Sequence, residues 1–356
     1  MKDKLHNVIL LTGPTRSGKT TALAHFVADK APLDGFLTPD EENIRILITL
    51  QDREKHAFEV ATPDSQQVVS IGQFQFLSSG FEKGKDALKN RAPGVPHWMV
   101  VDELGPLEMR GEGFEPALSD CIYGNEKSGS AAILIVVRNS LTTAFSLKYG
   151  EPACMINPDT LIRCTQTAAV ILCGGQSSRM GQPKALLQYH GNQPQYQVTA
   201  NLFKNITAKI FIANGALEIP VSETYQLIED DAPDQGPAAG VLSAFRKNKG
   251  HLLVCGCDYP LLHLVDLMRL MAEDDLYLAV CYEDESASFA DPLLCFYHES
   301  CLPLMEAWYR EGNRSLRHFL KTIPHKVLKP TLPNRIKSID TPEAFLNLTI
   351  HQNGAR

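Results

Sequence analysis

No stretch of this 356-residue chain approaches the ~20 consecutive apolar residues that a membrane-spanning helix needs. The opening segment Met1–Asn7 leads into only a short apolar run before Thr12 and Gly13, too little for the core of a signal peptide. Cysteine is absent before Cys121, and the nine cysteines are odd in number, which suits reduced thiols better than a disulfide framework. Cys255 and Cys257 flank Gly256 in an apolar run, but no second Cys/His pair stands at zinc spacing, so they read as small residues filling a strand. Clustered positive charge is also lacking. Lys and Arg total 34 against 41 Asp and Glu, and a net charge of −7 excludes a protein built to neutralise nucleic-acid phosphates. These absences lead us to expect a cytoplasmic protein with neither a nucleic acid nor a membrane as its partner.

What remains is an ordinary globular composition, 44% hydrophobic and 21% charged, with enough chain for two domains. Glu151-Pro152 and Asn157-Pro158-Asp159-Thr160 punctuate the chain before a new apolar run, Ala168–Leu172. We therefore expect one domain over residues 1–163 and a second over 164–356, both of α/β class with mostly parallel sheets.

Two loops that handle phosphate follow buried-strand patterns, one in each half. The first, Gly13-Pro14-Thr15-Arg16-Ser17-Gly18-Lys19-Thr20, fits the P-loop template G-x-x-x-x-G-K-[ST] and lies between Val8–Leu11 and a helical run over Thr21–Val27. Gly13 and Gly18 let backbone N–H groups close around phosphate oxygens at a helix N-terminus. Lys19 then reaches the outer phosphates, and the Thr20 hydroxyl is placed to hold Mg²⁺. Trp98–Val101 followed by Asp102 and Glu103 has Walker B form: Asp102 as the Mg²⁺ carboxylate, Glu103 as the catalytic group that orients or deprotonates water. Arg138, ending the run Ile133–Val137, is either a stabiliser of phosphoryl charge or a strand-end cap. Ile44–Leu50 and Ala57–Val60 read as antiparallel strands around a turn at Gln51–Lys55, and Phe81–Leu88 as a helix.

The segment Asp102-Glu103-Leu104-Gly105-Pro106-Leu107-Glu108, with Gly35-Phe36-Leu37-Thr38 and Ile133–Leu141, resembles the P-loop nucleoside-triphosphatase family first recognised in thermophiles. That resemblance implies a three-layer αβα sandwich that binds ATP or GTP and hydrolyses it.

The second loop, Leu172-Cys173-Gly174-Gly175-Gln176-Ser177-Ser178-Arg179-Met180-Gly181 with Lys184, lacks a Gly-Lys-Ser/Thr triplet. Gly174 and Gly175 allow close backbone approach, Ser177 offers a donor, and Arg179 and Lys184 place two cations where a triphosphate would lie. This pattern is similar to the L-x-G-G-x-S-x-R-M-G-x-x-K of molybdenum-cofactor nucleotidyltransferases, MobA-like proteins with a Rossmann-like fold. The strand Ile210–Ala213 ending at Asn214, the sequence Ile228-Glu229-Asp230, the turn Gly236-Pro237 and Cys257-Asp258-Tyr259-Pro260 agree with it, as does Gly312–Arg317.

The resemblance implies transfer of a nucleotide from NTP to molybdopterin, with Leu172, Cys173, Gly174, Gly175, Ser177, Asn214, Asp230 and Gly236 lining the nucleotide pocket. It gives catalytic roles to Arg179 and Lys184 and makes Asp258 the Mg²⁺ ligand. Gly175 favours GTP, because guanylyltransferases resemble L-A-G-G and cytidylyltransferases L-A-A-G. Against this, Asp340-Thr341-Pro342-Glu343 is nearer the cytidylyl relatives, and Cys173 replaces the usual Ala. Asp340 is either a second metal ligand or the N-cap of the following helix. The P-loop half reads as an NTPase or as a nucleotide-dependent switch or delivery module. Molybdoenzymes and other cofactor-biosynthesis proteins are the protein partners that the resemblance leaves open.

Overall fold

The computed structural model describes residues 3–61, 67–89, 97–128, 131–174, 181–189, 191–215, 217–228, 236–273, 276–284, 289–339 and 341–353. The chain forms two compact units, Met1–Ile162 and Arg163–Arg356. No helix among the described residues is long and apolar enough to cross a membrane. All nine cysteines are free thiols, and every one but Cys154 is buried.

In the N-terminal unit one sheet runs in the spatial order Cys154–Ile156, Val8–Gly13, Ala131–Arg138, His97–Leu104, Leu33–Leu37, Ile44–Thr49, Asp40–Glu41. Its first five strands are mutually parallel. The pattern Val8-Ile9-Leu10-Leu11 has no polar alternation because both faces are covered, and all four residues are fully buried. Val8, Leu10, Met99, Val101, Ile133 and Ile135 pack on one face with Phe81, Leu118, Ile122 and Phe145 from the helices Ser78–Lys89, Ala117–Ser128 and Thr142–Tyr149. On the other, Trp98 meets Phe26 of the helix Lys19–Val27, ring centroids 5.8 Å apart. The result is the expected three-layer sandwich.

The expected hairpin forms and begins two residues early: Ile44–Thr49 pairs with Lys55–Ala57, and the Glu59 N–H continues the contact by donating to the Arg45 carbonyl at 2.9 Å. The cause is the turn. Asp52 accepts from the Thr49 hydroxyl at 2.5 Å and from the Glu54 N–H at 3.1 Å, which closes the loop early and draws Lys55 into the ladder. The hairpin joins the main sheet, because Ile44–Thr49 adds antiparallel to Leu33–Leu37.

The C-terminal unit has a sheet in the order Gln226–Ile228, Ile210–Ala213, Ala168–Leu172, Leu252–Gly256, Phe289–Tyr297, Ala279–Asp284, His325–Leu328. The first four are parallel, Phe289–Tyr297 runs against both neighbours, and the last pair is parallel again. Helix Pro237–Asn248 covers one face through Val241, Leu242 and Phe245, packed on Val170, Phe211 and Val254. This is the mostly parallel arrangement that the apolar runs predict and the Rossmann-like fold that the resemblance implies.

Two candidate phosphate sites at strand ends

In the N-terminal unit three neighbouring parallel strands deliver the candidate residues to one rim. Gly13 and Arg138 are paired across the ladder at the carboxyl ends of their strands. The ladder between His97–Leu104 and Ala131–Arg138 shifts register between Val101 and Leu104, which is where Asp102 and Glu103 lie. Open α/β sheets bind ligands at this rim.

Gly18 caps the first helix with φ +80°, a left-handed conformation that glycine adopts without strain. Lys19 is buried, and its ammonium donates to the carbonyls of Gly13 at 3.2 Å and Pro14 at 2.7 Å. The Thr20 hydroxyl donates to Asp102 Oδ1 at 3.0 Å, and the Thr38 N–H donates to Oδ2 at 3.0 Å. Asp102 is fully buried, and burial pushes its carboxyl up to about 6 against the pull of those two hydrogen bonds. A buried carboxylate short of positive charge, beside a threonine hydroxyl, is a hard-oxygen donor set suited to Mg²⁺. Glu103 Oε1 accepts from Arg138 Nε at 2.7 Å, which makes Arg138, at the end of its strand, a partner of Glu103.

Glu108, quoted above only as part of a motif, holds the loop together. Its carboxylate accepts from the N–H groups of Gly105 at 2.8 Å and Phe114 at 3.1 Å, and burial raises its pKa. It is a structural clamp behind the Walker segment.

In the C-terminal unit, Leu172 is paired with Ala213 on one side and Gly256 on the other, so Cys173-Gly174, Asn214-Gly215 and Cys257-Asp258 emerge together. A Cβ at Gly215 would stand 3.3 Å from Gly174 Cα, showing how closely those two turns approach. Asn214 donates to the Leu217 carbonyl at 2.7 Å, while its buried Oδ1 has no partner among the described residues. Gly236 begins the helix Pro237–Asn248 at φ +74°, with Pro237 at its first position.

Lys184 Nζ lies 3.1 Å from Asp258 Oδ2, a pair that sequence spacing brings together only through the fold. Asp258 Oδ2 also accepts from the Ser338 hydroxyl at 2.7 Å, and the Asp258 carbonyl accepts from the Ile339 N–H at 2.9 Å. The segment before Asp340 is therefore docked on the candidate metal carboxylate. Ser338 carried no local signal in the sequence. Nor did Asp291, whose carboxylate accepts from the Tyr259 hydroxyl beside Asp258, although an acid inside the apolar run Phe289–Tyr297 is a visible oddity.

Cys173 adds no charge to the loop. A hydrogen bond with Cys257, then burial, pushes its thiol well above the usual range, so it stays protonated. Gly175, Ser177, Arg179, Asp230 and Asp340 lie outside the described residues. Among the described residues no cluster of three or more His, Cys, Asp or Glu could hold a metal ion. Asp258 offers hard oxygens beside a cation, the donor type that Mg²⁺ takes with few protein ligands.

Comparison with known proteins agrees with both halves. Residues 8–151 match the NTPase family, and residues 169–327 match the MobA-like NTP transferase domain. A probable molybdenum cofactor guanylyltransferase of Nostoc sp. is 30% identical over 185 residues, covering 49% of this chain and 86% of that protein. The molybdenum cofactor guanylyltransferase of Xanthomonas euvesicatoria pv. vesicatoria is 31% identical over 188 residues, 52% of this chain and 94% of that one. A molybdenum cofactor biosynthesis bifunctional protein of Synechocystis sp. is 28% identical over 187 residues, 51% of this chain and 53% of its own length. The chain thus belongs, through its C-terminal half, to the MobA-like NTP transferase family that includes molybdenum cofactor guanylyltransferases, and joins it to an N-terminal unit whose residues 8–151 match the NTPase family model.

Proposed function

We propose that the C-terminal unit transfers GMP from GTP to the terminal phosphate of molybdopterin, and that the N-terminal unit binds and hydrolyses nucleoside triphosphates. The observation that carries the first reading is the Lys184–Asp258 pair, 3.1 Å apart at the rim where the Leu172–Gly174 loop ends. One side chain is suited to the charge of a triphosphate and the other to a metal ion. In the reaction an oxygen of the acceptor phosphate bonds to the α-phosphorus, the bond from that phosphorus to the bridging oxygen breaks, and pyrophosphate leaves. The attacking phosphate is already ionised, so no side chain need take a proton.

Catalysis is then positioning and charge neutralisation. Lys184, joined by Arg179, counters charge on the β- and γ-phosphates, and the Gly174 backbone allows close approach of the nucleotide. Asn214 Oδ1, Asp230 and Gly236 line the nucleotide pocket. Ser338 and Lys184 hold the Asp258 carboxylate in one orientation. Mg²⁺, when bound, would neutralise phosphate oxygens, with Asp258 as its ligand in this unit and Thr20 with Asp102 in the other.

In the N-terminal unit, water attacks the γ-phosphorus and Glu103 takes its proton, while the bond from that phosphorus to the β,γ-bridging oxygen breaks and the nucleoside diphosphate leaves with the oxygen. Arg138 orients that carboxylate, and Lys19 turns from its own loop carbonyls to the outer phosphates. The unbridged thiols suit a reducing, cytoplasmic setting. A cytidylyl reading is favoured by one feature, the Asp340-Thr341-Pro342-Glu343 ending. Incubation of the full chain with molybdopterin, Mg²⁺ and GTP, CTP or ATP in turn, with mass detection of the product, separates the readings. We expect the guanine dinucleotide; a cytosine dinucleotide instead would overturn the argument from Gly175.

A further inference from the structure

The N-terminal unit has a cleft of about 280 Å³ whose lining includes Glu103 and Arg138. Its floor is aromatic. Phe58 lies 4.9 Å from Phe76 and 5.0 Å from Phe81, and Phe81 lies 5.0 Å from Phe114, centroid to centroid. Its rim carries Phe74, left 38% exposed, and Arg45, whose guanidinium stands over the rings of Phe74 and Phe76 at 5.6 and 5.9 Å. The rim is built by the hairpin Val68–Ile71 and Phe74–Leu77, which turns through Gly72 at φ +60°.

The charges that line the cleft are Arg45, Arg138, Glu103 and Glu108. Glu103 and Arg138 are paired with each other. Glu108 is buried, with its oxygens taken by two backbone N–H groups. Arg45 makes no salt bridge among the described residues, although its charge acts on the Asp102 carboxylate, and its guanidinium, near two rings, has donors to offer a ligand. Largely aromatic walls with a few placed charges are the features of a small-molecule site.

We propose that this cleft binds a small planar aromatic molecule carrying an anionic group, the ring on the phenylalanine floor and the anion on Arg45, next to Glu103 and Arg138. The site is separate from the P-loop and needs no nucleotide to form. It puts a second ligand against the residues assigned to hydrolysis.

Calorimetric titration of the full chain with 1-naphthyl phosphate tests this directly. Binding should be about tenfold or more tighter than that of 1-naphthol, which lacks the anion, or of inorganic phosphate, which lacks the ring. Arg45→Ala should weaken it about tenfold, since a charge-assisted hydrogen bond is lost. Phe74→Ala, at an exposed rim position, should weaken it several-fold without lowering the melting temperature. Lys19→Ala should abolish ATP binding and leave the naphthyl phosphate affinity unchanged. No binding by the unaltered protein, or binding indifferent to Arg45→Ala, would overturn the proposal. So would loss of binding in Lys19→Ala, which would place the probe in the P-loop. Failure of the unaltered chain to bind ATP would instead count against the P-loop reading and leave the cleft standing on its own titration.

Discussion

Asp102 shows what a single residue must reconcile. It is a carboxyl group fully buried among apolar strands, and burial lifts it from 3.8 to about 6. The native state therefore binds a proton that the unfolded chain has already released between those values. Stability from this group is present below pH 4 and is lost as pH rises through about 6. In the metal-free protein this ionisation should cost the N-terminal unit roughly 2–3 kcal/mol by pH 7. Asp102→Asn should remove that loss, so denaturant unfolding of the two proteins should diverge in favour of the variant between pH 4 and pH 7. Parallel pH profiles would show that Asp102 ionises without penalty. Ser338 makes a different kind of contribution, a 2.7 Å hydrogen bond to Asp258 from 80 residues away. Ser338→Ala should lower kcat/KM for nucleotide transfer about fivefold with an unchanged melting temperature, the loss expected for one positioning bond. The first of these residues was legible as an acid ending an apolar run. The second was not, because nothing local in Ser338-Ile339-Asp340 says that the chain will fold back onto Asp258.

Among the elements, the strand Leu33–Leu37 explains a motif that sequence comparison alone treats as a label. Gly35 has φ +90°, and a Cβ there would meet the Val100 carbonyl oxygen at 1.9 Å. The parallel ladder to His97–Leu104, which carries Asp102, depends on that close approach, as does the buried Asp34–His97 pair at 2.9 Å. Gly35→Ala should cost about 3 kcal/mol or more, from strain and displaced backbone together, read as a lowered melting temperature of the N-terminal unit. An unchanged melting temperature would mean that the two strands part easily. The central strands were legible because burial on both faces leaves continuous runs of Val, Ile and Leu. Cys154–Ile156 was not, since three residues of mixed exposure make no pattern. The hairpin was found with its second strand starting two residues late, because side-chain bonds to Asp52 decide where the turn closes.

At the scale of the whole molecule, two sheets each gather chemistry at the carboxyl ends of parallel strands, and each unit carries its own core. Strand order was beyond the sequence. It decides that Gly13 stands beside Arg138, and that the loops after Leu172, Ala213 and Gly256 share a rim. The motifs named the residues, and the topology makes them neighbours. We infer that one chain uses nucleotides in two chemically opposite ways, forming a phosphoanhydride in one unit and breaking one by water in the other. The most direct test follows the fate of label from α- and γ-labelled GTP in a single reaction with molybdopterin and Mg²⁺. We predict α-label in the dinucleotide with γ-label in pyrophosphate, lost by a factor of roughly 10² or more in Asp258→Asn. We also predict γ-label in free phosphate, lost in Lys19→Ala, each variant leaving the other product intact. Loss of both products in either variant, or γ-label in free phosphate with no α-label in any dinucleotide, would contradict it.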